Sequence, residues 1–249
     1  VVICEVGGTV GDIESLPFME AIRQMSVNVG YHNHIIVHVT LLPYVKASEE
    51  LKTKPTQHSV MRLREIGLTP DFILCRSETR IKKSVKDKIA LFCNVDAAHV
   101  IEGQDVNSIY EVPLLLDKQK LGQLIFERMR FSGETDVSAL QKFIHHYKNP
   151  VHSVTIAMCG KYTELPDAYK SVLEAFNHAG VGNNVHIKIK WVATGNLYSL
   201  KQCENEFATV NGILLLPGFG KRGSEGKILA CQYAREHKIP FFGICLGLQ

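Results

Sequence analysis

Near its end the chain reads Phe241-Phe242-Gly243-Ile244-Cys245-Leu246-Gly247, an apolar, strand-like run entering Gly-x-Cys-x-Gly, the cysteine form of a nucleophile elbow. Glycines two residues before and after the cysteine leave room for a sharp strand-to-helix turn. The N-terminus of the helix expected next would lower the thiol pKa toward the thiolate. A thiolate in that position attacks an amide carbon, forms a thioester and releases ammonia. The oxygen that becomes negative needs backbone N–H donors, and Leu246 and the loop at Gly218 are the candidates. A buried structural cysteine is the competing reading, against which the turn, the strand before it and the upstream glycine loop all speak.

A second constellation opens the chain as Glu5-Val6-Gly7-Gly8-Thr9-Val10-Gly11-Asp12-Ile13-Glu14-Ser15. It sets a carboxylate near the carboxyl end of an apolar run, ahead of a glycine-rich turn into a helix. Ligands of open α/β sheets bind at that edge. An acid there suits Mg²⁺ held between nucleotide phosphates, and glycines let backbone approach a ligand. The alternative is a tight turn in which Asp12 or Ser15 caps the helix. A third constellation, Lys52-Thr53-Lys54-Pro55-Thr56-Gln57, puts ammonium, hydroxyl and amide groups before a helix whose N-terminus itself favours anions. It suits a triphosphate; the alternative is a solvated basic loop capped by Thr56. By themselves, Lys88 reads as a surface lysine on an amphipathic helix and Gln104, Asp105 and Val106 as loop. His145 and His146, adjacent in sequence, point different ways on a helix and make a poor metal pair.

The elements that must hold these groups alternate between strand-like and helix-like patterns. In the first half the strands fall at 1–6, 34–42, 71–75 and 99–101, and the helices at 15–25, 56–66 and 84–92, with helical spacing again over 113–129. From 131 to 152 the pattern turns polar and irregular, which reads as a linker. The second half restarts with strands at 153–158, 185–191, 213–216 and 240–244, and helices at 167–178 (stopped by Gly180), 197–207 and 226–236. Trp191 reads as core. Such alternation builds βαβ units on parallel sheets. It predicts two open α/β domains, 1–130 and 153–249, joined by a linker over 131–152.

Composition narrows the function classes. The 249 residues carry 28 basic and 25 acidic side chains, a formal net charge of +3, too weak a field to imply a nucleic-acid partner. The seven cysteines show no C-x-x-C pair or metal-ligand spacing, which fits a reducing, cytoplasmic setting. No apolar run approaches the roughly 20 residues needed to span a bilayer, so no membrane partner is expected. Val1 falls inside an apolar run and Gln249 comes directly after the cysteine turn, which reads as a piece cut at both ends or a chain with disordered flanks.

Residues 5–15 and 52–57 closely resemble the amidoligase domain of the CTP synthase family. Gly160-Lys161-Tyr162, Phe219-Gly220-Lys221-Arg222-Gly223 and the Cys245 turn are similar to its class I glutamine amidotransferase domain. The resemblance implies a Rossmann-like nucleotide-binding domain and, after it, a flavodoxin-like one. It implies an ATP-dependent ligase that aminates UTP to CTP with ammonia from L-glutamine, the last step of de novo CTP synthesis. Glu5 would then bind Mg²⁺; Asp12, Ile13 and Glu14 would hold the feedback inhibitor CTP; Lys52, Thr53, Lys54, Pro55, Thr56 and Gln57 with Lys88 would line the UTP/CTP site. Gln104, Asp105 and Val106 would meet the ATP adenine, and Cys245 would be the nucleophile. Gly218, Leu246, Gly247, Leu248 and Gln249 would form the glutamine and oxyanion site. The resemblance also implies GTP as allosteric activator and a homotetramer, joined through the amidoligase domains, that can form filaments.

One departure stands out: Leu216-Pro217-Gly218-Phe219-Gly220 has proline where the family usually has the first glycine of Pro-Gly-Gly-Phe-Gly, and proline cannot donate an N–H. The family's phosphate-binding loop and triad His-x-Glu lie outside this stretch, so the fragment alone is expected to be inactive. Two other readings remain open on the sequence. One is a different amidotransferase ligase such as a cobyrinate amidase, which should lack the 11–14 and 52–57 strings. The other is a catalytically dead nucleotide-sensing or assembly module of the same fold.

Overall fold

The computed structural model describes all residues but Tyr162, Phe219 and Arg222, with Pro166 described by its backbone alone. It divides into two units, Val1–Gln141 and Lys142–Gln249, both α/β with parallel sheets. Among the described residues no helix is long and apolar enough to cross a membrane.

In the first unit the elements run α1 (Leu16–Val29), β1 (Val37–Leu41), the short hairpin β2 (Tyr44–Val45) and β3 (Glu50–Leu51), α2 (Lys54–Glu65), β4 (Phe72–Ser77), α3 (Lys83–Cys93), β5 (Val100–Gln104), α4 (Val112–Lys118) and α5 (Leu121–Met129). The sheet order is β1-β4-β5, all parallel. The period-2 alternation of a strand explains how β4 serves both faces. Ile73 and Cys75 pack with Val60, Ile89, Ala90 and Cys93 from α2 and α3. Phe72 and Leu74 face the other way, toward Leu116, Leu121, Leu124 and Ile125. Pro17 and Pro55 sit in the first turns of α1 and α2, where a missing N–H costs the helix nothing.

Three expectations are corrected here. Residues 1–6 do not form a strand, and Val1, Val2 and Ile3 are 104%, 87% and 90% exposed. Apolar β-branched residues favour strands, but a strand also needs a partner for its backbone groups, and among the described residues none pairs with this segment. The 113–129 tract is two helices, broken where Lys120 turns left-handed (φ 59°). The amide of Gln119 at the break pairs with both backbone groups of Glu102 in β5, each at 2.8 Å, which holds the chain to the sheet instead of continuing the helix. Finally, the stretch read as linker contains α6 (Ser138–Lys148), within which the unit boundary falls. Leu140, Phe143, Ile144 and Tyr147 recur at i, i+3, i+4 and i+7, a helical stripe hidden among polar neighbours. His145 and His146 lie exposed on it.

The second unit continues with β6 (His152–Gly160), α7 (Lys170–Asn183), β7 (Val185–Ala193), α8 (Leu200–Phe207), β8 (Gly212–Leu215), α9 (Ser224–Glu236) and β9 (Phe241–Gly243). Its sheet order is β7-β6-β8-β9, all parallel. One face is filled by Ala157, Cys159, Phe207, Ile213, Leu215 and Tyr233 with α8 and α9; the other by Met158, Tyr169, Leu214 and Leu216, with Trp191 packed against them. The helix stop expected at Gly180 does not occur. α7 runs through it and ends at Asn184, left-handed at φ 56°. Gly180 instead serves a close approach, since a Cβ there would lie 2.7 Å from the Val185 carbonyl oxygen.

A matched pair of substitutions in α7 tests that packing. Gly182 has nothing within 4 Å of an added Cβ, so Gly182→Ala should stabilise by about 0.5–1 kcal/mol through the backbone-entropy term. Gly180→Ala should destabilise by about 1–3 kcal/mol from overpacking. Thermal unfolding monitored by circular dichroism reads both; a midpoint raised equally by the two variants would contradict the close α7–β7 contact.

Candidate functional site

The cysteine turn is built on the edge of the second sheet. β8 and β9 pair with Leu215 opposite Gly243, and the ladder ends with Ile244 N–H donating to the Leu215 carbonyl at 2.9 Å. The next residue, Cys245, is exposed and left-handed at φ 55°, a conformation costly for a side-chain-bearing residue unless its surroundings enforce it. They do. An added Cβ at Gly243 would lie 2.1 Å from the Gly247 carbonyl oxygen, and one at Gly247 would lie 2.8 Å from the Leu215 carbonyl oxygen. The two glycines are thus demanded by contact across the turn. Gly247 N–H donates to Ile244 (3.0 Å) and Leu248 N–H to Cys245 (2.9 Å). Cys245–Gly247 form a three-residue 3₁₀ turn; Leu248 and Gln249 are exposed beyond it.

The neighbouring loop leaves the end of β8. Leu216 N–H extends the sheet pairing to Cys159 (2.9 Å). Gly218 and Gly220 then take φ values of 134° and 95°. Below them lies Lys227 of α9, only 5% exposed, whose ammonium donates to the carbonyls of Leu216 (2.8 Å) and Gly218 (3.3 Å). Lys161 donates to the Gly220 carbonyl at 3.0 Å. Burial pushes the Lys227 pKa down, the charge of Lys161 adds to this, and Cys245 opposes it, so the lysine lies within electrostatic reach of the nucleophile. Among the described residues no acceptor takes the N–H of Gly218 or Leu246, the two proposed oxyanion donors. Tyr162, Phe219 and Arg222 of the predicted motifs lie outside the described residues. Sequence reading missed Lys227, although it shares the α9 face of Ala230 and Ala234, where a lysine is out of keeping with its neighbours.

In the first unit the predicted nucleotide residues gather at the carboxyl edge of the sheet. β1 leads through the hairpin into Lys52, whose N–H donates to the Pro43 carbonyl at 2.9 Å. Lys52 forms an ion pair with Glu50. The Glu50 carboxyl is held below its usual pKa mainly by Lys52, with a smaller contribution from the charge of Lys88. Among the described residues, Lys52 alone of the predicted lysines pairs with this acid. Lys54 and Pro55 open α2. Thr56 is fully buried with its hydroxyl 3.0 Å from that of Thr40, and Thr53 is nearly so, accepting from the Gln57 amide at 3.1 Å. Gln104 ends β5, Asp105 N–H donates to the Ser77 carbonyl (2.9 Å) and its carboxylate accepts from Arg76 (3.1 Å), with Val106 next in the chain.

The Glu5 loop is not brought to that edge. Val6 and Val10 pack with Met19, Leu63 and Leu68, near the last turns of α2, a helix about 18 Å long whose first turn carries Lys54. Neither capping alternative holds. The Asp12 carboxylate accepts from Thr9 N–H at 2.7 Å, and neither Asp12 nor Ser15 makes a side-chain cap bond. Glu5, Ile13 and Glu14 are exposed. Among the described residues no three His, Cys, Asp or Glu side chains cluster as a metal site.

A family model described as CTP synthase N-terminus matches residues 1–131, and one described as glutamine amidotransferase class-I matches residues 164–249. CTP synthases of Cytophaga hutchinsonii, Clostridium acetobutylicum and Methanocaldococcus jannaschii are 49%, 51% and 50% identical to this chain, over all of it and over 46%, 46% and 47% of their own lengths. The chain thus spans about half the length of the curated relatives it matches. A solved Trypanosoma brucei CTPS glutaminase domain with bound acivicin aligns at 37% identity over 39% of this chain and 38% of that one, with a TM-score of 0.36.

The exposure pattern of the thiols makes a direct test. Burial raises the Cys75 thiol to about 12 and pushes Cys93, Cys159 and Cys203 upward as well, whereas Cys245 is exposed. Brief iodoacetamide treatment and then peptide mass spectrometry should show Cys245 modified well ahead of those four. Alkylation of Cys159 at the rate of Cys245 would mean that the turn is not placed as described.

Proposed function

The chain belongs to the CTP synthase family, and on that premise we propose that it forms the central part of a ligase that aminates UTP to CTP with ammonia taken from glutamine. The observation that carries the reading is Cys245, exposed and held left-handed at a strand end by Gly243 and Gly247. Its thiolate attacks the glutamine amide carbon while the N–H groups of Leu246 and Gly218 receive the oxyanion. The C–N bond breaks, ammonia leaves with the proton, and water hydrolyses the thioester to glutamate and free thiol. In the amidoligase half, ATP phosphorylates O4 of UTP and the ammonia displaces that phosphate at C4. Lys52, paired with Glu50, and Lys88 bind the triphosphate of UTP or of the inhibitor CTP, together with Lys54 and the N-terminus of α2. Asp12, Ile13 and Glu14, which lie away from the Lys52 edge within one chain, meet the 52–57 segment in the CTP pocket across a subunit interface, and Gln104, Asp105 and Val106 bind the adenine.

A lone exposed carboxylate, with no three-ligand cluster among the described residues, fits Mg²⁺ of the kind held by one acid plus nucleotide phosphates. Glu5 would hold it; bound there, the ion neutralises phosphate charge. GTP activation, a tetramer able to form filaments and a cytoplasmic location complete the reading.

Two experiments on the full-length protein test the halves separately. Cys245→Ala should abolish glutamine-dependent synthesis and glutaminase activity while synthesis from ammonium salt survives, because that route needs no thioester. Glutamine-dependent synthesis surviving the substitution would sink the nucleophile. Lys52→Met should raise KM for UTP about tenfold or more through loss of a charge-assisted contact, leaving glutamine hydrolysis unaltered; an unchanged KM would remove Lys52 from the site.

A further inference from the structure

Lys227 has no part in the chemistry above, yet a lysine 5% exposed is rare without a partner or a task. Its position indicates the task. The loop it underlies contains three successive peptide groups. The first joins Leu216 to Pro217 and has a carbonyl but no N–H, and that carbonyl accepts from Lys227 at 2.8 Å. The third begins at Gly218, whose carbonyl accepts from the same ammonium at 3.3 Å. Between them lies the peptide that carries Gly218 N–H. Clamping the peptide on each side limits how far the middle one can rotate; the ring of Pro217 fixes only its own φ, so ψ of Pro217 and φ of Gly218 are otherwise free to turn the peptide between them. Gly218 itself, at φ 134°, has no side chain to resist rotation. Leu216 is fully buried, so without the ammonium its carbonyl would be left unsatisfied and the loop would turn to recover a partner. A carbonyl swung toward the forming oxyanion would repel it.

We propose that Lys227 is a positioning residue for glutamine hydrolysis, clamping the Leu216 and Gly218 carbonyls so that Gly218 N–H stays directed at the oxyanion. The inference rests on the reading of Cys245 as the glutaminase nucleophile.

The test compares wild type, Lys227→Met, Lys227→Gln and Cys245→Ala in the full-length protein. Lys227→Met should lower glutaminase kcat about 30-fold or more, somewhat less than the roughly 100-fold or greater loss on removal of an oxyanion donor itself, with KM for glutamine changed by no more than about threefold. Ammonia-dependent synthesis should persist, and the pH midpoint of Cys245 alkylation by iodoacetamide should shift too little to account for the loss. Lys227→Gln, neutral but still a donor, should recover part of the lost kcat, which a role through charge alone would not allow. The proposal is overturned by a Lys227→Met kcat within about threefold of wild type, by a shift of the alkylation midpoint that accounts for the loss, or by an equal loss of ammonia-dependent synthesis. If Lys227→Met yields no folded protein, a selective kcat loss in Lys227→Gln supports the clamp, and failure of both to fold overturns it in favour of a core role. Glutaminase activity retained by Cys245→Ala would bring down the underlying reading instead.

Discussion

The hydrogen bond from Ile244 N–H to the Leu215 carbonyl is the last rung between β8 and β9, and both parts of the cysteine site depend on it. One residue beyond it on β9 the chain turns left-handed at Cys245; one residue beyond it on β8 the glycine loop begins. Parallel pairing sends both strands out of the sheet at the same edge, so the nucleophile and its proposed oxyanion donors arrive there together without any long-range contact of their own. The cost of this economy is steric. With the strands this close, the turn has room for a Cβ at neither Gly243 nor Gly247.

The same rule organises the first unit through different residues. β1, β4 and β5 deliver the 42–57 segment, the start of the 78–82 connection and the 104–106 loop to one edge. Lys52 pairs there with Glu50, a carboxylate that a competing phosphate would have to replace.

The legible part of the sequence is local. The apolar runs of β4, β6 and β8 and the glycine spacing about Cys245 each depend on a few neighbouring residues, and each is found close to its expected place. The illegible part depends on partners. The run Val1-Val2-Ile3-Cys4 has the composition of a strand, but composition does not provide the neighbour to pair with. The hydroxyl of Thr56 reads as a ligand contact until Thr40, from a strand 16 positions away, is seen to take it. Lys227 passes unremarked in the sequence because lysines are usually solvated; only the fold brings the carbonyls of Leu216 and Gly218 to its ammonium. The helical stripe of α6 is present in the sequence, masked by the polar residues between its apolar positions.

The pairing of Gln119 with Glu102 has a further consequence. β5 is the outer strand of its sheet, and an outer strand with free N–H and C=O groups invites any passing chain to add itself by strand exchange. At Glu102 both groups are already taken by one side-chain amide from the break between α4 and α5. A single glutamine there imitates the edge of a missing neighbour strand, protecting the sheet from unwanted growth while leaving its carboxyl end open for ligands.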